Sequence, residues 1–157
     1  MAHRFVTDIK VEGETETQDF QYTLPTTDGE YNGEIAGFGN DPSSATAGDI
    51  VYLGGTTGNG TWAVAQANSV NSTSMLGVWT GSEVLLRGFV RYAGSGGATK
   101  TVPTSSIGKP MYLSASTAGA ITDTVPGTGN YVRIVGHVVS PTNDLWYFQP
   151  DNTWVKK

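Results

Sequence analysis

The chain contains no cysteine, which excludes disulfides and thiolate metal sites. Charged residues are also scarce, at 15% of 157 residues, and the net charge is −5 without any basic stripe. A protein that binds nucleic acid electrostatically is therefore not expected. No apolar run approaches the roughly 18 residues of a membrane span. The start, "MAHRFVTDIK", has no apolar signal-peptide core, so neither membrane insertion nor secretion is expected.

Turn-forming and β-forming residues take the place of the missing charges. Glycine accounts for 21 residues, and short runs of Val, Ile, Thr and aromatic residues alternate with separators rich in Gly, Pro, Asn and Asp. The best helical candidate, "WAVAQANSV", gets no support from residues 68–71. We predict an all-β protein with a compact β-barrel or β-sandwich. The predicted strands lie near residues 4–11, 49–53, 62–67, 75–79, 84–92, 110–114, 120–123, 131–139 and 144–149.

Residues 1–47 differ in composition from the rest of the chain. After the alternating stretch "FVTDIKVEG", which predicts one strand, comes a long acidic and turn-rich segment with few aliphatic residues. A core-poor segment of this length is uncommon as a loop inside a compact domain. We predict an extended N-terminal arm over residues 1–47 that becomes ordered against a partner, and a β-domain over residues 48–157. The alternative is that the segment forms hairpins packed on the same domain.

From Gly48 onward the sequence repeats itself. "GDIVYLGGTTG" (48–58) is similar to "GKPMYLSASTAG" (108–119), and a further glycine follows at a matching distance in each half, at Gly77 and Gly136. Another apolar stretch closes each half, "EVLLRGFV" (83–90) and "DLWYFQP" (144–150). The pattern predicts two similar β-meander halves. Chance similarity between β-turn sequences is the alternative, because G-x-x-x-Y-L is an undemanding pattern.

The stretch "GSGGATKT" (94–101) comes nearest to a known chemical motif. A phosphate-binding P-loop requires G-x-x-x-x-G-K-[ST] followed by a helix. Here Thr99 stands in the place of the second glycine, and Val102-Pro103 follows where the helix would begin. Proline at that point would break the first helical turns. We interpret the stretch as a hairpin loop.

Candidate acid–base residues are few or scattered. His3 lies in the N-terminal segment and His137 in the strand "YVRIVGHVV". A lone strand histidine is more often a surface residue than a base or a metal ligand. The carboxylates after residue 47 mostly adjoin Gly, Asn, Ser or Pro, where Asp is a common turn former. We expect no enzyme, no catalytic residue, no cofactor and no metal; a hydrolase using His137 is the minor alternative.

The last residues, "LWYFQPDNTWVKK" (145–157), are unusually aromatic. Alternation places Trp146 and Phe148 on one face of a final strand. The turn formers at 150–152 then reverse the chain, which predicts that Trp154 folds back to close the domain.

Four stretches carry a resemblance to a known family. They are "GKPMYLS" (108–114), "GAITDTVP" (119–126), "YVRIVGHVV" (131–139) and "WYFQPDNTWVKK" (146–157). Together they resemble a module that recurs in structural proteins of tailed bacteriophages, especially phages of cyanobacteria, where it occurs in capsid decoration (cement) proteins and at the ends of tail fibres. The opening "FVTDIKVEGE" is similar to the starts of virion surface proteins.

The resemblance implies a virion protein, and the absence of a shaft of repeats favours the decoration role over the tail fibre. Such a protein would lie on the outer surface of the capsid as a homo-oligomer, with a trimer favoured, and its partner would be the major capsid protein. No nucleic acid and no membrane is implied. The expected contact residues with the capsid, a neighbour or the domain core are Phe5, Ile9, Phe20, Tyr22, Trp146, Phe148 and Trp154.

Two alternatives stand beside this prediction. A tail-fibre or adaptor tip that binds a host surface glycan would expose Trp62 or Trp79 as a stacking platform. A glycan depolymerase would need two carboxylates across a cleft.

Overall fold

The computed structural model describes residues 23–92, 100–103 and 107–157, and the regular secondary structure of this part of the chain is almost entirely β-strand. The predicted all-β class is therefore confirmed. Two 3₁₀ helices, Val70–Thr73 and Pro141–Asn143, accompany the strands. The strands are β1 (Tyr31–Ile35), β2 (Ile50–Gly54), β3 (Thr61–Val64), β4 (Leu76–Trp79), β5 (Val84–Arg91), β6 (Pro110–Leu113), β7 (Ile121–Thr122), β8 (Tyr131–Val132), β9 (Ile134–Ser140), β10 (Leu145–Phe148) and β11 (Val155–Lys156).

Most predicted strands are present with shifts of one to three residues at their ends. The predicted strand 131–139 is divided at Arg133, whose side chain is buried against backbone carbonyls. The sequence did not predict β1 or β11 as separate strands. The predicted strand at 4–11 lies outside the described residues.

Strand β5 organises the sheet because three other strands pair with it. Leu85 pairs with both β1 and β4, and Val90 pairs with both β1 and β10. Strands β4 and β10 therefore share one edge of β5, opposite β1. The antiparallel sheet consequently curls over itself into a half-barrel, in the order β3-β2-β4-β5-β10-β9-β6-β7.

The main hydrophobic core lies between the two sides of the curled sheet. Ile50 and Leu76 come from the β2–β4 side, while Trp146 and Phe148 come from β10, and all four are at most 2% exposed. Backbone hydrogen bonds also join the two sides, since the Ile50 N–H donates to the Gly119 carbonyl at 2.8 Å. Burying each such large side chain contributes about 1.5–3 kcal/mol, so this core is the main source of stability.

A second, smaller cluster lies on the other face of the β2–β5 side. It consists of Val51, Trp62, Trp79 and Val84. Successive strand residues face opposite sides, so Ile50 points into the main core and Val51 into this small cluster. The Trp62 Nε1–H donates to the Phe38 carbonyl at 3.0 Å, which shows that chain preceding residue 48 covers the small cluster.

The predicted internal repeat is present in the strand connectivity. In the first unit, β2 pairs with β3 and β4, and β4 pairs with β5. In the second unit, β6 pairs with β7 and β9, and β9 pairs with β10. The last strand of each unit also pairs with the strand that precedes the unit, β5 with β1 and β10 with β5. Counted together with the strand that precedes it, each unit thus has five strands; β5 is the last strand of the first unit and the preceding strand of the second.

Hydrogen bonds repeat at the positions that the sequence predicted. The Gly48 N–H donates to the Trp79 carbonyl at 2.6 Å, and the Gly108 N–H donates to the Val138 carbonyl at 2.8 Å. Both glycines have positive φ, 88° and 81°, a conformation that L residues with a Cβ rarely adopt. The repeated glycines therefore mark the same backbone turn in both units.

One detail of the predicted repeat is wrong. A β-meander would place each strand beside the next one along the chain, but β4 returns to the free edge of β2 rather than pairing with β3. Residues 65–75, with their 3₁₀ helix, carry the chain back across the end of the hairpin. Hairpin strands β3 and β7 therefore end the sheet on its two sides.

Part of the predicted arm is a strand of the sheet. Strand β1 pairs with β5, and Asn40 forms a parallel bridge with Thr61. Residues 1–22 lie outside the described residues, so the contacts expected of Phe5, Ile9, Phe20 and Tyr22 stay predictions.

Candidate docking surface

The C-terminal motif divides into a buried strand and a surface segment. In β10, Trp146 and Phe148 are fully buried, with their ring centroids 5.7 Å apart. Beyond Phe148 the chain lies along β8 and β9: the Asp151 N–H donates to the Ile134 carbonyl at 2.8 Å, and β11 pairs with β8. Backbone hydrogen bonds therefore hold the terminal segment on the surface of the domain.

Arg133 lies beneath this segment and holds it through a hydrogen bond. Its Nε–H donates to the Asp151 carbonyl at 2.7 Å, and its Nη1 donates to the carbonyls of Ser72 and Ser74 at 3.0 and 2.6 Å. The residue is only 5% exposed. One guanidinium thus joins three chain segments that are distant in sequence, and loss of its donors would remove the partner of three carbonyls, of which the Ser72 bond is buried.

The charge of Arg133 is balanced by dipoles rather than by an ion pair. Within the described residues, no carboxylate forms a salt bridge with it; the ion pairs there are Arg91 with Asp28 and Lys100 with Asp49. Burial lowers the pKa of the Arg133 guanidinium, and the charge of Asp151 opposes that shift. Arginine nevertheless stays protonated at any physiological pH.

Trp154 lies over this guanidinium instead of closing the core. The Arg133 Cζ atom is 6.0 Å from the centre of the Trp154 ring, and Trp154 is 45% exposed. The prediction that Trp154 folds back into the core is therefore wrong, while a contact of Trp154 with another subunit stays a prediction. Trp146 and Phe148 already occupy the core at that point, and pairing of β11 with β8 carries Trp154 along the outside.

A surface groove of about 350 Å³ opens beside Trp154. Its apolar wall is formed by Met75, Leu86, Pro150 and Trp154, and Met75 is 51% exposed. Its polar lining comes from Thr73, Ser74, Asn152 and Arg133. We call this the Trp154 groove. An exposed aromatic ring, an adaptable methionine and a rigid buried cation are the features of a binding surface rather than of a stabilising core.

A second polar cluster has a structural role. The Lys100 ammonium donates to the Asp49 carboxylate, which also accepts from the Thr46 N–H at 2.6 Å. Burial lowers the pKa of Lys100, and the Asp49 carboxylate opposes the shift. Burial also raises the pKa of the nearby Tyr92 phenol, with added contributions from Asp49 and Asp144. Lys100, the lysine of the P-loop-like stretch, therefore neutralises a buried carboxylate; residues 94–99 of that stretch lie outside the described residues.

The other candidate residues are not brought together. His137 is on the surface, and Trp62 and Trp79 are only 1% and 8% exposed. A stacking platform built on Trp62 or Trp79 is therefore wrong. Among residues 23–92, 100–103 and 107–157, no group of three or more potential metal ligands occurs, and no helix is long and apolar enough to cross a membrane.

Sequence reasoning missed Arg133 and Met75 as site residues. Alternation had placed Arg133 on the same strand face as Val135, which is fully buried. A charged side chain at a core-facing position was the available signal. Met75 gave no signal, because its exposure follows from the route of the chain after the 3₁₀ helix. Comparison of the chain with protein-family models, curated proteins and solved structures gave no match.

Proposed function

We propose that the protein is a non-enzymatic capsid decoration protein, which forms a homo-oligomer on the outer surface of a phage head and stabilises contacts between capsomers. The observation that carries the proposal is the placement of the C-terminal motif. The residues that resemble virion proteins form both a core strand and a partly exposed surface segment, ending in Trp154 and β11, that hydrogen bonds hold on the domain. A contact surface held in this way loses little conformational entropy on binding.

Decoration of this kind depends on many modest contacts. Each copy adds buried interface between capsomers, and contacts repeated over a symmetric shell act together against the pressure of packaged DNA. The Trp154 groove supplies the aromatic and arginine groups that dominate binding energy at protein interfaces. The major capsid protein is the proposed partner, with a trimer favoured as the oligomer.

The test is the position of the protein on the virion. Immunogold labelling in the electron microscope should place copies over the head, in a regular array. Labelling of the tail would contradict the decoration role and would favour the alternative, a fibre or adaptor tip.

Two variants test whether the Trp154 groove is the surface that binds the capsid. Trp154→Ala should lower the occupancy of capsids at least several-fold, whereas Val125→Ala, at an equally exposed apolar residue outside the groove, should leave it unchanged. Both variants should keep the melting temperature of the wild type, because exposed side chains contribute little to stability. Equal occupancy for the two variants would remove the Trp154 groove from the proposal.

A further inference from the structure

The Trp154 groove has an apolar wall and a positive charge, and a single partner must match both. Its apolar wall leaves Met75 and Trp154 about half exposed, which favours an apolar or aromatic side chain. Its floor contains Arg133, a buried cation that forms no salt bridge within the described residues. The Arg133 Nε–H and Nη1 already donate to three carbonyls, so a carboxylate would bind through the remaining Nη2 donors and the positive charge, and a carboxylate is the group that a guanidinium binds best. The complementary chemistry is therefore a peptide with acidic residues close to an aromatic one.

The terminal segment carries two further positive charges and one negative charge, that of Asp151. Lys156 lies in β11, with its ammonium 5.4 Å from the centre of the Tyr131 ring, and Lys157 follows it. Arg133, Lys156 and Lys157 against Asp151 give this corner a net charge of 3 − 1 = +2, whereas the whole chain has a net charge of −5. Local charge of this kind selects an acidic partner and speeds its association.

The chain itself contains a segment with the required chemistry. Residues 12–22 read "EGETETQDFQY", with four carboxylates followed by two aromatic residues and no basic residue. We propose that the Trp154 groove binds the segment Glu12–Tyr22 of a second copy of this chain, with a carboxylate beside Arg133 and an aromatic side chain against Trp154. This inference rests on the proposed homo-oligomer and names the contact that would hold it together.

A contact between the Trp154 groove of one copy and the segment Glu12–Tyr22 of the next explains why the groove and the segment occur in one sequence. Every copy carries one groove and one acidic–aromatic segment, so a head-to-tail contact can close into a ring of identical subunits. The contact has a charged component at the surface, and it should therefore weaken as salt increases.

The absence of cysteine from the sequence allows a clean cross-linking experiment on the isolated protein. One variant carries Asp19→Cys and a second carries Asn152→Cys, at an exposed residue of the groove. Mixing and oxidising the two should give a disulfide-linked heterodimer in several-fold higher yield than Asp19→Cys mixed with Asp123→Cys, an exposed position after β7. Adding Trp154→Ala to the Asn152→Cys chain, or raising salt to about 1 M, should lower the yield several-fold.

Two results would overturn the inference. Equal yields for the Asn152 and Asp123 pairs would show that the segment does not prefer the groove. A chain carrying both Asp19→Cys and Asn152→Cys that forms an internal disulfide and stays monomeric would show that the segment docks on its own chain. Because no capsid is present, failure here leaves the labelling of virions as a separate test of the decoration role.

Discussion

The two repeat units share their strand connectivity and their hydrogen bonds, yet they bury opposite faces. Val51 and Leu53 of the first unit belong to the small cluster, whereas Met111 and Leu113, at the corresponding positions, lie in the main core. The steps from β1 to β5 and from β5 to β10 each reverse the strand direction within one sheet. The second unit therefore continues across the sheet in the same direction as the first, but with each strand reversed, so the unit as a whole is turned over. The face that points outward in the first unit then points into the core in the second. Local sequence similarity thus specifies hydrogen-bond geometry but not the buried side.

The difference has a consequence for the first unit. Its outward face is apolar and needs a cover, which the chain between β1 and β2 provides through the Phe38 carbonyl and Asn40. The outward residues of the second unit, Pro110 and Tyr112, are half-buried, and among the described residues they belong to no such cluster. The region assigned to the arm therefore has a structural role next to the first unit.

The largest expected effect tests whether the small cluster stabilises the fold as the main core does. Trp62→Ala should lower the free energy of unfolding by about 3–5 kcal/mol, since it empties the cluster and leaves the Phe38 carbonyl without its donor. Ile121→Val, at the corresponding position of the second unit, should cost only about 0.5–1.5 kcal/mol. Urea unfolding of both variants measures this. A loss below about 1 kcal/mol for Trp62→Ala would show that the small cluster is dispensable.

An intermediate effect separates backbone strain from crowding in the two repeated turns. At Gly108 an added Cβ meets nothing within 4 Å, so Gly108→Ala should cost about 1–2 kcal/mol from its positive φ alone. At Gly48 the same Cβ would lie 2.9 Å from the Tyr92 ring, so Gly48→Ala should cost about 1 kcal/mol more. Thermal unfolding of the pair measures the difference. Equal costs would show that the Tyr92 ring moves aside freely.

The smallest expected effect concerns the loop that leads into the first unit. The Glu30 carboxylate accepts the N–H groups of Thr27 and Thr26 at 2.8 and 2.9 Å, which lowers its pKa below the ordinary 4.5. Its contribution to stability is therefore present above that value and is lost as pH falls through the lowered pKa. Glu30→Gln should be slightly less stable than the wild type at pH 7, and this deficit should shrink as the pH is lowered toward 3.

Melting curves at the two pH values measure this difference. Glu34→Gln, at an exposed β1 residue, is the matched control and should not reproduce it. A Glu30→Gln variant with the same deficit at both pH values would show that the carboxylate charge has no role in the loop.

Much of the fold was predictable because it depends on local patterns. Alternating strands such as 84–92 and turn glycines such as Gly48 and Gly108 are determined by neighbours a few residues away. Two features were not predicted: the position of Trp154 outside the core, and strand β1. Both have the same cause. Pairing between strands far apart in sequence decided both places, through β8 with β11 and through β5 with β1.

The candidate site was predictable only in part. The C-terminal aromatic motif identified the region, and the buried position of Trp146 follows from its alternation with Phe148. The groove also depends on Met75 and Leu86, which are far from Trp154 in the sequence. Nothing in the local sequence brings these side chains beside Trp154.

By itself, the sequence determined the all-β class, the turn positions and the existence of two similar units, because backbone preferences and side-chain periodicity act over short distances. The tertiary structure decided which face each unit buries, where Trp154 lies and how Arg133 is held. Those outcomes depend on which strands, distant in sequence, pair with each other. The packing of the whole sheet determines that pairing.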